Sequence, residues 1–210
     1  MSQNLLVEAY DLAKSIVVSS GFEDEIHWQK NLHFENIDES TFLRESAWVI
    51  FCSGFSEKIL RKKFPYISIC FCDWESAEEI VRRSELCRET ALQWFGNKAK
   101  IQAILKIASM INRDGFSNVK EEISRDPLRF LRELPFIGEV TCWHLAKNLG
   151  IPVAKPDRHL VRIAKAAGFL NVQTICTNIS EITGDSVPVV DLILWRYATL
   201  EKNYVKQFTF

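Results

Sequence analysis

The sequence predicts an all-α protein, and three observations carry this prediction. Apolar residues recur at the three-to-four-residue spacing of amphipathic helices along most of the chain. Proline, glycine and capping side chains stand at the ends of these periodic segments, where helices start and stop. The one stretch with loose alternation, residues 66–72, would be a strand without a partner, so we interpret it as a helix or a buried link.

Glycine and proline divide the first half of the chain into helices. Gly21 ends the first helix, Gly54 breaks the second and Pro65 stops the third. Residues 22–38 are polar and aromatic without a helical period, so we expect irregular structure there. The predicted helices of this half are 5–18, 40–52, 56–64, 75–94 with a break near Ser84, and 97–111.

Two helices joined by a tight turn are predicted between residues 127 and 149. Asp126 can cap the first helix and Pro127 is tolerated in its first turn. Pro135 ends this helix because its ring disfavours helical geometry in the preceding residue. Gly138 allows a sharp turn and the close approach of another group to the backbone. The second helix therefore opens with unpaired amides and the positive end of its dipole, which suits a phosphate.

A short extended link and another helix follow this hairpin. Lys155-Pro156 extends the chain, and Asp157 stands at the N-cap position of a helix running to Gly168. An N-cap is the simplest interpretation of Asp157, but a carboxylate placed after a phosphate-binding hairpin could also act on a nucleotide. Helices at about 172–182 and 188–202 complete the chain.

This order of hairpin, link, Asp and helix resembles the helix-hairpin-helix–Gly/Pro–Asp (HhH-GPD) superfamily of DNA glycosylases, which remove bases from DNA. The motifs that carry the resemblance are Leu134-Pro135-x-x-Gly138, Thr141 and Pro156-Asp157-x-His159. Weaker similarity lies in Gly96–Lys100 and in residues 47–55, which resemble a barrel helix start and a loop that reaches the DNA minor groove. The layout is similar over residues 40–200, and the motifs are strong only between 127 and 165.

The resemblance implies two helical lobes with an active-site cleft between them. One lobe would be residues 40–150 with the hairpin 127–149, and the other 1–39 plus 151–210 with the catalytic carboxylate, Asp157. The residues implied in DNA-phosphate binding are Pro135, Ile137, Gly138, Val140, Thr141 and His159. The candidates for the base pocket or for a wedge in the duplex are Phe55, Trp48, Asp191, Trp195 and Lys155. For the aromatic members of this set, a place in the core is the alternative.

The chain also departs from the family. Val140 stands where bifunctional members carry a lysine that attacks the sugar, and a valine cannot form an imine, so we expect no coupled strand cleavage by this route. Lys147 and Lys155 are possible substitutes, although we expect the Lys147 side chain to be solvated and Lys155 could instead bind a phosphate. Glu139 follows the hairpin glycine where members often have a basic residue, and we expect it to point away from the phosphate.

These residues predict a monofunctional DNA glycosylase that flips a damaged or modified base from the duplex and leaves an abasic site. A non-catalytic helix-hairpin-helix DNA-binding module is the main alternative, although a pure binder would not need Asp157. A glycosylase for modified bases of foreign (phage) DNA is another, and a purely structural helical protein explains the motifs less well. Alkylated purines, uracil and mismatched thymine would all leave similar traces in the sequence.

Composition sets limits on cofactors, partners and location. The net charge of −1 excludes a polyelectrolyte binder, so double-stranded DNA would be held through few phosphates. The six cysteines are scattered and the four histidines lack metal-ligand spacing. We therefore expect no iron–sulfur cluster and no other cofactor, apart from a monovalent cation that could sit at the hairpin. We also expect a monomer without membrane contact or signal peptide, located in the cytoplasm, on the nucleoid if prokaryotic.

Overall fold

The computed structural model describes residues 3–210, and all regular structure in this range is helical. No strand occurs between residues 3 and 210, which confirms the predicted all-α fold. Residues 1 and 2, which belong to the predicted terminal lobe, lie outside the described range. No helix in the described part of the chain is both long enough and apolar enough to cross a membrane.

The chain divides into two compact units. The terminal unit comprises Met1–Phe34 and Ala146–Phe210, and the central unit is Glu35–Leu145. The helices of the terminal unit are α1 (Gln3–Ser19), α2 (Glu23–Lys30), α11 (Arg158–Ala166), α12 (Val172–Thr183) and α13 (Val187–Leu200). The helices of the central unit are α3 (Glu39–Cys52), α4 (Glu57–Cys70), α5 (Ala77–Arg82), α6 (Ser84–Trp94), α7 (Lys98–Asp114), α8 (Phe116–Arg125) and α9 (Pro127–Glu133). One more helix, α10 (Thr141–Asn148), begins in the central unit and ends in the terminal unit.

Helix α13 forms the core of the terminal unit. Its side chains from Val187 to Leu194 are all buried, and the helix packs against α1, α2, α11 and α12. A helix that is apolar on all sides has to be enclosed by others, which explains this central position. Pro188 lies in its first turn, as predicted.

Helix α7 has the same role in the central unit. It packs against α3, α5, α6 and α8. The predicted stripe of Ile101, Ile104, Leu105 and Ala108 is buried. Asn97 caps the helix by accepting a hydrogen bond from the Lys100 amide at 3.1 Å, so the start of this helix is fixed by a polar side chain and its face by burial.

Several helix bounds differ from the prediction. Helix α2 forms within residues 22–38 because three acidic residues in its first turn stabilise its N-terminus and Ile26 is buried. Helix α4 continues through Pro65 to Cys70, since Phe64 and Ile67 are buried on either side of the proline. Helix α8 forms where none was predicted, and it buries Val119 and Ile123. The predicted break near Ser84 is confirmed by the separation of α5 from α6.

Candidate active site

Asp157 caps α11 with one carboxylate oxygen. Its Oδ1 accepts hydrogen bonds from the amides of His159 at 2.8 Å and Leu160 at 3.0 Å, and its backbone is extended. This confirms the N-cap predicted at this position. Oδ2 of Asp157 accepts no hydrogen bond from any residue between 3 and 210. One oxygen therefore fixes the side chain, the other has no hydrogen-bond partner among these residues, and the residue is partly exposed.

The link before Asp157 is held in place by side chains of two helices. The Ala154 amide donates to Oε1 of Gln173 on α12 at 2.9 Å. The next amide, that of Lys155, donates to Oδ2 of Asp191 on α13 at 2.7 Å. The Asp157 amide then donates to the Lys155 carbonyl at 2.8 Å. Consecutive peptide groups of the link are therefore fixed by the terminal unit.

A buried ion pair supports this link. Nζ of Lys147 lies 2.7 Å from Oδ1 of Asp191, and the two side chains are only 7% and 2% exposed. The expectation that Lys147 would be solvated is therefore wrong: its aliphatic neighbours on α10 are buried and carry the lysine into the core with them. Burial raises the pKa of Asp191, while Lys147 acts in the opposite direction. Burial likewise raises the pKa of the adjacent Cys176 thiol.

Asp191 was predicted to line a base pocket, but it is buried and both of its oxygens have hydrogen-bond partners. It is 1% exposed, and its two oxygens bond Lys147 and the Lys155 amide. A base edge would have to displace one of these partners, so we assign Asp191 to the support of the link. The sequence did carry a signal for the pair: an acid within an otherwise apolar helix needs a buried cation as its partner.

His159 makes a contact within the terminal unit. Its Nδ1 lies 3.0 Å from the Tyr204 hydroxyl. Burial lowers the pKa of His159, although Asp157 opposes this shift. A neutral imidazole attracts a phosphate less than a charged one, so the predicted phosphate contact of His159 would be a weak one.

The turn between α9 and α10 offers a different set of amides from the predicted one. The Ile137 amide donates to the Leu134 carbonyl at 3.1 Å, and the Gly138 amide donates to Oγ1 of Thr141 at 2.6 Å. The Thr141 hydroxyl in turn donates to the Gly138 carbonyl at 3.2 Å. The predicted phosphate ligands Ile137, Gly138 and the Thr141 side chain are thus engaged in the turn itself.

The open amides lie at the start of α10. The N–H groups of Glu139, Val140 and Thr141 donate to no acceptor within the described residues. Of the amides predicted from the sequence, that of Val140 is therefore the one still open. The Glu139 carboxylate lies 3.2 Å from Arg132, and an ion pair there reduces its repulsion of an approaching anion. These three N–H groups and the dipole of α10 can bind one phosphate.

The left-handed residue of this turn is Phe136, not Gly138. Phe136 has a φ of 69°, a conformation that costs an L residue about 1–2 kcal/mol. Its ring centre lies 5.6 Å from Nζ of Lys100, a cation–π contact that holds it in this conformation. Pro135 precedes it and is partly buried. The glycine pattern alone therefore misplaced the sharpest bend.

The central unit contains a cavity of about 350 Å³ beside Phe55. Its walls are the loop 53–55, the segment 94–97 and the side chains of Lys63 and Lys100. The structure thus brings together two segments that were singled out separately in the sequence. All charged side chains in its wall are cationic, and Phe55 and Trp94 are 39% and 40% exposed. Such a wall suits a flat or anionic group.

Lys100 is buried at the back of this cavity. Its Nζ donates to the carbonyl of Phe51 at 3.0 Å and to that of Ser53, at the C-terminal end of α3. Burial lowers its pKa. The ring of Phe55 packs edge-on against Phe95, with 5.0 Å between ring centres. Phe55 is therefore packed against Phe95 and still 39% exposed.

The remaining pocket candidates are aromatic side chains that are partly buried. Trp48 packs edge-on against Phe64 with 5.0 Å between ring centres, and the Arg61 guanidinium lies 5.6 Å from its ring. Trp195 packs on the core of the terminal unit, and the Arg196 guanidinium lies 4.6 Å from its ring. Both sets of contacts agree with the core alternative stated for these residues.

Comparisons with protein-family models, with curated proteins and with solved structures give no match to this chain. No group of three or more histidine, cysteine, aspartate or glutamate side chains among residues 3–210 is placed to hold a metal ion. In the turn between α9 and α10, the carbonyls of Leu134 and Gly138 accept hydrogen bonds from the amides of Ile137 and Cys142.

Proposed function

We propose that this protein is a monofunctional DNA glycosylase of the helix-hairpin-helix–Gly/Pro–Asp type. The observation that carries the proposal is the state of Asp157: its Oδ1 is fixed by two amides of α11, and its Oδ2 is open. A carboxylate held in this way is oriented without being neutralised. The cleft between two lobes that the resemblance implies also belongs to this proposal.

The chemistry requires a carboxylate beside the sugar. When the bond between C1′ and the base nitrogen breaks, its electron pair leaves with the base and positive charge builds on the sugar ring. Oδ2 of Asp157 would stabilise this charge electrostatically. It would also orient the water that adds to C1′ and accept the proton that this water loses. The base has to leave the helical stack first, because its glycosidic bond is hidden within the duplex.

Two features of the central unit support the binding of DNA. The open amides of Glu139, Val140 and Thr141 would hold a phosphate at the N-terminus of α10. The partly exposed ring of Phe55 would enter the gap that the extruded base leaves, with the cationic cavity beside it. Both contacts are independent of sequence, which suits an enzyme that searches for a lesion.

The lysines of the chain argue against strand cleavage. Val140 cannot form an imine, and Lys147 is committed to the buried pair with Asp191. An amine nucleophile would have to be neutral and exposed to the sugar, whereas the Lys147 side chain is 7% exposed and paired with Asp191. Lys155 remains as the one lysine next to Asp157 in the chain. We expect the product to be an abasic site in an intact strand.

Asp157→Asn tests the proposal on labelled duplexes that carry alkylated, deaminated, oxidised or bulky modified bases. Asparagine keeps the cap but lacks the negative charge, so base release should fall by about 100-fold or more while DNA binding is retained. Alkali-dependent cleavage of one duplex by the wild type would identify the base. Asp38→Asn is the matched control, since Asp38 caps α3 in the same manner. Equal activity of Asp157→Asn and wild type would refute the proposal.

A non-catalytic DNA-binding module is the second candidate. The open amides at the start of α10 favour it, because they need no carboxylate to hold a phosphate. Under this alternative, Asp157 is a helix cap and nothing more. Binding of every duplex without release of any base, by wild type and Asp157→Asn alike, would select this candidate. Cleavage without alkali would instead point to Lys155 as a nucleophile.

A further inference from the structure

We propose that the buried Lys147–Asp191 ion pair is a positioning device for Asp157. Asp191 accepts a hydrogen bond from the Lys155 amide in the link, and Lys147 supplies the charge that a buried carboxylate needs as its partner. This inference rests on the proposed function, which gives Asp157 the catalytic role for which it has to be positioned. Lys147 and Asp191 are positioning residues, since neither would touch the DNA.

Both carboxylate oxygens of Asp191 have hydrogen-bond partners within the terminal unit. Its Oδ1 lies 2.7 Å from Nζ of Lys147, and its Oδ2 lies 2.7 Å from the amide nitrogen of Lys155. With 1% exposure, it has no access to a ligand. The Lys147 carbonyl is also fixed, because it accepts a hydrogen bond from Gln29 on α2 at 3.1 Å. The pair therefore joins three helices to the link.

The hydrogen bonds continue along the backbone from Lys155 to Asp157. The Lys155 peptide is held on both sides: its N–H by Asp191 and its carbonyl by the Asp157 amide, at 2.7 and 2.8 Å. A shift of the Lys155 amide would therefore move Asp157 directly. Displacing a catalytic group by about 1 Å can cost about 100-fold in rate. The position of Oδ2 thus depends on a hydrogen bond two residues away.

The energetics of a buried ion pair also support a positioning role for Lys147 and Asp191. Replacing a buried ion pair by apolar residues of similar volume is often neutral or stabilising, so stability alone does not require Lys147 and Asp191. An apolar pair could not accept the Lys155 N–H, which would then be a partly buried donor without its side-chain partner. The acceptor at position 191 is what the polar pair provides and an apolar pair lacks.

Two double variants separate the acceptor from the ion pair. Lys147→Met/Asp191→Asn removes both charges but keeps a side-chain oxygen that can accept the Lys155 amide. Lys147→Met/Asp191→Leu removes both charges and the acceptor. We expect the Leu variant to release base about 10- to 100-fold more slowly in single-turnover experiments, with unchanged affinity for DNA. The Asn variant should remain close to wild type.

Amide hydrogen exchange gives a readout that needs no substrate. We expect exchange at Lys155, Asp157 and His159 to be accelerated in the Leu variant and unchanged in the Asn variant. The control is Lys14→Met/Asp185→Leu, which removes another ion pair of the same unit, 2.6 Å long, without touching the link. It should change neither these amides nor the rate.

The outcomes separate the two proposals. Equal exchange in the Leu and Asn variants, or equal rates where base release is measured, would overturn the positioning role. If the wild type releases no base from any duplex, the proposed function fails, and hydrogen exchange still decides whether Asp191 holds the link. A Leu variant that unfolds would be replaced by Lys147→Met/Asp191→Ala, which also lacks both charges and the side-chain acceptor, and this variant would be compared with the Asn variant by the same exchange measurement.

Discussion

Gly150 lies where the backbone leaves no space for a side chain. Its φ is 79°, and a Cβ at this position would lie 2.8 Å from both the carbonyl carbon and the oxygen of Leu32. The close approach packs the end of α10 against the segment that follows α2. Gly184 has almost the same φ, 77°, but a Cβ there would meet no atom within 4 Å. A side chain at Gly150 would therefore add both backbone strain and steric overlap, whereas a side chain at Gly184 would add backbone strain alone.

Gly150→Ala is expected to lower the free energy of unfolding by about 3 kcal/mol, because left-handed strain and overlap with Leu32 add up. Gly184→Ala, with strain alone, should cost about 1 kcal/mol. Urea unfolding of both variants and the wild type measures the difference. Equal losses in the two variants would mean that the contact with Leu32 relaxes at no cost.

At the residue scale, the sequence predicted that Asp157 caps a helix. It did not predict the Lys147–Asp191 ion pair that supports the link before Asp157. A capping Asp after an extended Pro is a local pattern, and local hydrogen bonds make it readable. Lys147 and Asp191 are 44 residues apart in the chain, so only the folded terminal unit brings them together. A lysine on a short helix is exposed in most proteins, and that expectation failed here because Leu145, Ala146 and Asn148 beside it on α10 are buried.

At the element scale, α4 shows a helix that tertiary packing maintains against a local breaker. Pro65 is exposed and lacks the N–H that would continue the hydrogen-bond ladder, yet the helix runs from Glu57 to Cys70. Phe64, Ile67 and Ser68 are buried around it. The sequence predicted that the helix would stop here because the proline can be read directly from the sequence. The burial of its neighbours becomes known only from the folded structure.

Pro65→Ala is expected to raise the free energy of unfolding by about 1–2 kcal/mol, since alanine restores a helical N–H and removes a ring clash at an exposed site. Pro127→Ala is the matched control, because Pro127 lies in the first turn of α9, where its missing N–H has no cost. It should give no gain. Thermal unfolding compares the two, and an unstable Pro65→Ala would show that the ring itself packs favourably.

The turn between α9 and α10 marks a second limit of prediction at this scale. Its helices were predicted from Asp126, Pro127 and Pro135, and the structure has them. The hydrogen bonds of the turn were not predicted, because the Thr141 hydroxyl captures the Gly138 amide and shifts the open N–H groups toward α10. Sequence patterns fix where a turn occurs more firmly than which of its groups remain open.

At the scale of the whole molecule, the charge balance limits how the protein would hold DNA under the proposed function. The net charge is −1, and most arginines of the central unit pair with glutamates one helical turn away. Long-range attraction to a polyanion is therefore weak. Binding would depend on the few contacts at the start of α10 and around the cavity beside Phe55.

Under the proposed function, the logarithm of the DNA association constant should fall with the logarithm of salt concentration with a slope of about −2 to −4, corresponding to two to four phosphates. Fluorescence anisotropy of a labelled duplex at several salt concentrations measures this slope. Lys63→Gln, in the wall of the cavity, should reduce it by about one unit if this side chain contacts phosphate. A slope steeper than about −8 would contradict the small contact area.

The terminal unit is assembled from both ends of the chain, which has a consequence during synthesis on the ribosome. The apolar side of α1, with Leu6, Tyr10 and Val17, packs against α13 and α12, and these are translated after the whole central unit. At about 5–20 residues per second, α1 emerges ~10–35 s before its partners. The central unit, encoded without interruption, can fold in that interval. Newly made α1 thus keeps its apolar side uncovered until α12 and α13 emerge.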